Sequence, residues 1–151
     1  MEKIKIGDLF EIITPRGIAY LHYFYSDSIT GDMIRVLKGL YKERPTDLYK
    51  LVTDNERFIV AFPIKASKKE KLIESVGNFS TLSFQKPKEM RTKHIIRGEF
   101  LGWHLVDTET WERTLVKSLS SEQKKLSPWG IWNASLLIEN LANDWSLENW
   151  S

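Results

Sequence analysis

Ser127-Pro128-Trp129-Gly130-Ile131-Trp132-Asn133-Ala134-Ser135-Leu136-Leu137-Ile138-Glu139-Asn140-Leu141-Ala142-Asn143-Asp144-Trp145 is the stretch on which the fold turns, because it holds the only long helical pattern in the chain. Ile131, Ala134, Leu137, Ile138, Leu141 and Trp145 recur at three- and four-residue steps. This spacing predicts one apolar stripe and leaves Asn133, Glu139, Asn140 and Asn143 for the other side. Such a stripe must be buried against another element.

Working outward, two segments offer a surface for it. Ile18–Tyr25 puts Ile18, Tyr20, His22 and Phe24 on one face and Ala19, Leu21, Tyr23 and Tyr25 on the other. Arg57–Pro63 sets Phe58, Val60 and Phe62 against Ile59 and Ala61, so both segments read as strands covered on two sides. Phe10–Ile13 pairs with 18–25 through the turn Thr14-Pro15-Arg16-Gly17, where proline fixes φ and glycine tolerates φ > 0. Asp32–Leu37 reads as a third strand. Leu48, Leu51 and Val52 have helical spacing over one or two turns, and Lys65–Ile73 reads as a short solvated helix or a charged loop.

From Phe79 to Lys93 the chain has little periodicity and is expected to be a long surface loop bearing Lys86, Lys88, Arg91 and Lys93. Strand character resumes at His94–Arg97, Phe100–Asp107 and Trp111–Lys117, the last two forming a second hairpin. Ser120-Ser121-Glu122-Gln123 has capping-box form and opens a short helical turn ahead of Pro128. The order predicts a single α+β domain over 1–151: a strongly bent antiparallel sheet or small partly open β-barrel, covered by the C-terminal helix.

A chain of 151 residues buries roughly 68–70% of its unfolded surface, enough for a core without staples. Cysteine is absent, which removes disulfides, thiol nucleophiles and zinc ribbons. The opening Met1–Asp8 lacks the apolar core of a signal peptide and no later run suits a membrane span, so a cytoplasmic protein without membrane association is expected. Net charge is +2, distributed as 0 over 1–64, +6 over 65–97 and −4 over 98–151.

His22, His94 and His104 fall in separate strands with no metal-ligand spacing. Phosphate loops, dinucleotide fingerprints and nucleophile elbows are missing, and pairs such as Glu109 with Glu112 read as solvated charges. No catalytic, metal-binding or cofactor-binding residue is assigned, and no cofactor is expected. Partner contact falls instead to Trp129, Trp132, Trp103 and Trp111, since tryptophan is enriched at binding hot spots, and to Lys86, Lys88, Arg91 and Lys93. At Trp129 and Trp132 core packing and partner contact are equally supported, whereas Trp145 completes the helix stripe.

Ile6-Gly7-Asp8-Leu9-Phe10-Glu11-Ile12, Gly17-Ile18-Ala19-Tyr20, Phe58-Ile59-Val60-Ala61-Phe62-Pro63 and Glu74-Ser75-Val76-Gly77-Asn78 occur in an order that resembles the immunity protein 26 family, bacterial immunity proteins paired with polymorphic toxins. The resemblance covers the first half of the chain; Gly98–Ser151 does not map onto it. It implies a non-enzymatic protein that neutralises a cognate protein toxin by binding it. Two other expectations stand beside it: a nucleic-acid-binding β-barrel using the basic 65–97 segment with Phe79 and Phe84, and a small hydrolase using the histidines with carboxylates.

Overall fold

In the computed structural model, which describes residues 3–151, eight strands divide between two sheets. Met1 and Glu2 of the opening segment lie outside the described residues. Strands β1 (Asp8–Thr14), β2 (Gly17–Asp27), β3 (Gly31–Val36), β4 (Phe58–Ala61) and β5 (Ile73–Asn78) form an antiparallel sheet in the order β4-β3-β2-β1-β5. Strands β6 (Glu89–Ile96), β7 (Glu99–Asp107) and β8 (Arg113–Val116) form an antiparallel meander. The larger sheet is bent by register shifts at Leu9/Phe10 and Tyr23/Tyr25 but does not close into a barrel.

Helix α3 (Ala134–Ala142) lies on one face of the larger sheet. Ala134, Leu137 and Leu141, with Trp132 just before them, cover Phe10, Ile12, Ala19, Leu21, Ile34, Val36, Phe58 and Val60. Each large apolar side chain so buried contributes about 1.5–3 kcal/mol. The opposite face is not a barrel interior. Leu9, Tyr20 and Leu37 there pack under Leu51 and Val52 of α1 (Leu48–Thr53), with Phe79 and Phe84 added from the loop between β5 and β6. Phe24 and Met33 meet Met90 of β6, which joins the two sheets. The two-sided apolarity of 18–25 and 57–63 thus has cover on each side.

The basic segment 64–71 opens with a short helix, α2 (Ile64–Lys69), anchored by Ile64 and Ser67.

The helical pattern is shorter than the expected 131–145. Gly130 takes φ +135°, Ile131 forms a parallel bridge with Ala61, and Trp132 N–H donates to the Ala61 carbonyl at 3.0 Å. Pairing with the free edge of β4 therefore overrides the periodicity at Ile131, whose side chain is 69% exposed. Asn133 then caps α3 by accepting from Leu136 N–H at 2.8 Å. At the other end Asp144 adopts φ +56° and Trp145 N–H returns to the Asn140 carbonyl at 2.9 Å. Trp145 is thus outside the helix, yet its ring still packs on Phe58 and Trp132, both at 4.8 Å.

The same strip ties the sheets together. Arg91 N–H donates to Ser127 O, Trp129 N–H donates to Arg91 O at 2.7 Å, and Ile59 N–H donates to Ser127 Oγ at 2.9 Å. Ser127–Trp129 serves the edge of β6 and Ile131–Trp132 the edge of β4. Pro128 sits where no donor is needed.

The surface-loop reading of 79–93 ends at Lys88, because β6 begins at Glu89. Its consequence for Arg91 is large: that side chain is fully buried.

Candidate functional site

Most polar chemistry in the interior is consumed by the fold. Arg35 is fully buried and donates from Nε to Glu56 at 2.9 Å and from its terminal nitrogens to the Val52 and Asp54 carbonyls. It also bonds His22 Nδ1 at 3.1 Å, while His22 Nε2 bonds the Phe79 carbonyl at 3.1 Å. The Nε2–H tautomer satisfies both contacts. Burial, reinforced by the neighbouring guanidinium, holds His22 below the ordinary imidazole range. Phe84 lies over Arg35 at 3.5 Å. Arg35 therefore clamps the α1 end to the sheet, and His22 links Arg35 to the backbone at Phe79.

Arg91 makes a second internal clamp. Its guanidinium donates to the carbonyls of Lys124, Leu126, Leu147 and Trp150 and lies against the rings of Trp103 and Trp150, which also touch each other edge to face. Burial lowers its pKa to about 10, so it stays charged at neutral pH. Lys93 reaches the Ser151 carbonyl and the Trp103 ring. Lys86 donates to Thr108 O at 2.8 Å and stands over Trp111 and Tyr25. Lys88 alone of the four is plainly exposed. The four cations are thus not one surface strip.

The tryptophans separate in the same way. Trp103 and Trp132 are buried, the first against Arg91 and the second under α3. Trp111 and Trp129 are half-buried, 5.4 Å apart, beside an apolar groove of about 320 Å³ lined by Ile29, Met33, Met90 and Ile131. This groove lies at the β7–β8 turn end of the smaller sheet.

At the other end the β6–β7 hairpin projects beyond β8, whose pairing stops at Val116 opposite Trp103. Its turn, Ile96-Arg97-Gly98-Glu99, has positive φ at both central residues, +51° and +80°, as a type I′ hairpin turn requires. Ile95, Ile96, Phe100 and Leu101 are 52%, 48%, 47% and 39% exposed, and Leu115 on β8 is 51% exposed. Ile95 and Ile96 are consecutive strand residues and face opposite sides, so the arm is apolar on both. Arg97 at its tip and Lys117 at the end of β8 are exposed around it, against one carboxylate, Glu99.

His94 and His104 lie at the base of this arm with ring centroids 4.4 Å apart. His104 Nδ1 is buried without a hydrogen-bond partner, and burial, then His94 and Arg113, lowers its pKa. His22 belongs to the other sheet, so the three histidines do not converge. Among the described residues no group of three or more His, Asp or Glu is placed to hold a metal. No helix among them is long and apolar enough to cross a membrane.

Sequence reasoning places strands at 94–97 and 100–107 but not the exposure of the arm. The signal present is Ile95-Ile96 and Phe100-Leu101 flanking an Arg-Gly turn, which marks a hairpin without saying what covers it. No family model, no curated protein and no solved structure matches the chain.

Proposed function

We propose that this chain is a non-enzymatic binding protein, an immunity-type inhibitor that neutralises a cognate bacterial toxin by direct contact. The observation that carries the reading is the β6–β7 arm, with large apolar side chains exposed together on a rigid hairpin. Contiguous apolar surface of this kind marks interaction sites. It is supported by the first-half resemblance, and by His22, Arg35 and Arg91 being engaged in internal hydrogen bonds.

Co-expression with the product of the adjacent gene tests it. The expected result is rescue of growth from that product and a complex that survives gel filtration. Absence of both, for a neighbour that is itself toxic, overturns the reading. Binding to DNA or RNA that collapses between about 50 and 200 mM salt would instead support the nucleic-acid alternative, through counterion release.

A further inference from the structure

We infer that the β6–β7 arm inserts as a wedge into an apolar cleft with an acidic rim on a protein partner. This names the contact element and partner chemistry for the function proposed above and rests on that reading only for the partner's being a toxin.

Three observations converge. The arm is held rigidly at its base. Met90 packs on Phe24 and Met33, Arg91 is bonded to four carbonyls, and Gly102 passes so close to β8 that a Cβ would stand 2.6 Å from the Val116 carbonyl. Strand β8 thus braces the hairpin just where it leaves the sheet. Beyond that point Ile95, Ile96, Phe100 and Leu101 are exposed on both sides, a shape suited to a cleft rather than a flat surface. A rigid apolar element loses little conformational freedom on docking, which favours affinity.

Charge then selects the occupant. Arg97 at the tip and Lys117, just past the end of β8 where the arm leaves the sheet, outweigh Glu99. A second copy would bring like charges together. A partner with carboxylates around an apolar cleft gains steering and excludes cationic competitors. The basic tip also opposes burial in hydrocarbon, so a protein cleft is favoured over a bilayer.

Random-peptide display against the immobilised full chain tests this whatever the partner's identity. The variants are Ile95→Ser with Phe100→Ser, and separately Arg97→Glu with Lys117→Glu. All four side chains are exposed, and thermal melting checks that each variant remains folded. The expected outcome is enrichment of peptides combining Asp or Glu with aromatic or aliphatic residues, and binding at least tenfold weaker in the first variant. The charge-reversed variant should select basic peptides instead.

Four results overturn the inference: no enriched sequence, enrichment indifferent to both variants, arm-dependent binding to phosphatidylglycerol vesicles, or an arm-dependent dimer in sedimentation. Success here with failed neutralisation discards the toxin and keeps the acidic cleft. Neutralisation that survives both variants assigns the toxin contact to another surface.

Discussion

Two buried polar side chains, Arg91 and His22, show how much a single residue can hold. Arg91 serves carbonyls from two separate segments, 124–126 and 147–150, and packs against two indoles. Lysine offers a point charge and no fork, so Arg91→Lys leaves carbonyls unserved, each costing about 1–3 kcal/mol. A lower urea midpoint, with tryptophan emission shifted to the red as Trp103 and Trp150 become wet, is expected. His22 gives a pH signature. Its folded pKa, like that of His104, lies below the unfolded value of 6.5, so the unfolded chain binds protons first as pH falls. Stability should be full above about pH 6.5 and decline on acidification through the folded pKa values. Urea unfolding at pH 8 and pH 5 checks the sign, and His22→Ala should lower the midpoint at pH 8 while flattening the pH dependence.

At the level of elements, caps and turns are largely legible in the sequence, while ends set by tertiary pairing are not. The Ser120–Gln123 capping box is formed reciprocally, Ser120 N–H to Gln123 at 2.8 Å and Gln123 N–H to Ser120 Oγ at 3.2 Å. The Thr14–Gly17 hairpin and the helical spacing at 48–52 also stand as expected. Ile131 departs from expectation because its apolar spacing fits a helix while its backbone is claimed by Ala61, a partner 70 positions away. Strand β5 has little pattern of its own, since Glu74, Ser75 and Gly77 interrupt it and pairing with β1 supplies its stability. Arg91 is hidden from a sequence reading because lysines nearby suggest solvent, whereas the carbonyls that receive it are remote in sequence. Two changes probe element ends. Asn133→Ala removes the α3 cap and should cost about 1 kcal/mol by urea titration. Gly102→Ala meets both φ +137° and the Val116 carbonyl, so it should detach β8, seen as faster amide exchange from Arg113 to Val116.

Across the whole molecule, the 127–132 strip couples two sheets that share few other contacts. Trp132 sits under α3 against Phe58, 5.2 Å between rings, whereas Trp129 flanks a groove. Trp132→Ala should therefore cost about 3–5 kcal/mol and lower the melting temperature of both sheets together. Trp129→Ala should cost clearly less, and the pair separates packing from surface contact by stability alone. The α+β plan is readable because its apolar faces are explicit. Its division into two sheets is not, because the join is made by backbone atoms of Ser127–Trp132 that carry no pattern.

The position of α3 has a consequence for synthesis. Arg16 in the first hairpin donates to the Ala142 carbonyl across 126 positions, and α3 with the flanking Trp132, Trp145 and Leu147 supplies much of the cover on that face of β1–β4. On the ribosome the larger sheet can pair once β5 has emerged, yet its apolar side stays wet until Ala142 follows. At about 5–20 residues per second that interval lasts on the order of 3–13 s. Stalled nascent chains ending near Asn133 should recruit a hydrophobic-sensing chaperone, and chains long enough to expose Trp145 beyond the exit tunnel should release it. The helix that completes the fold thus also sets how long the growing chain is vulnerable to aggregation.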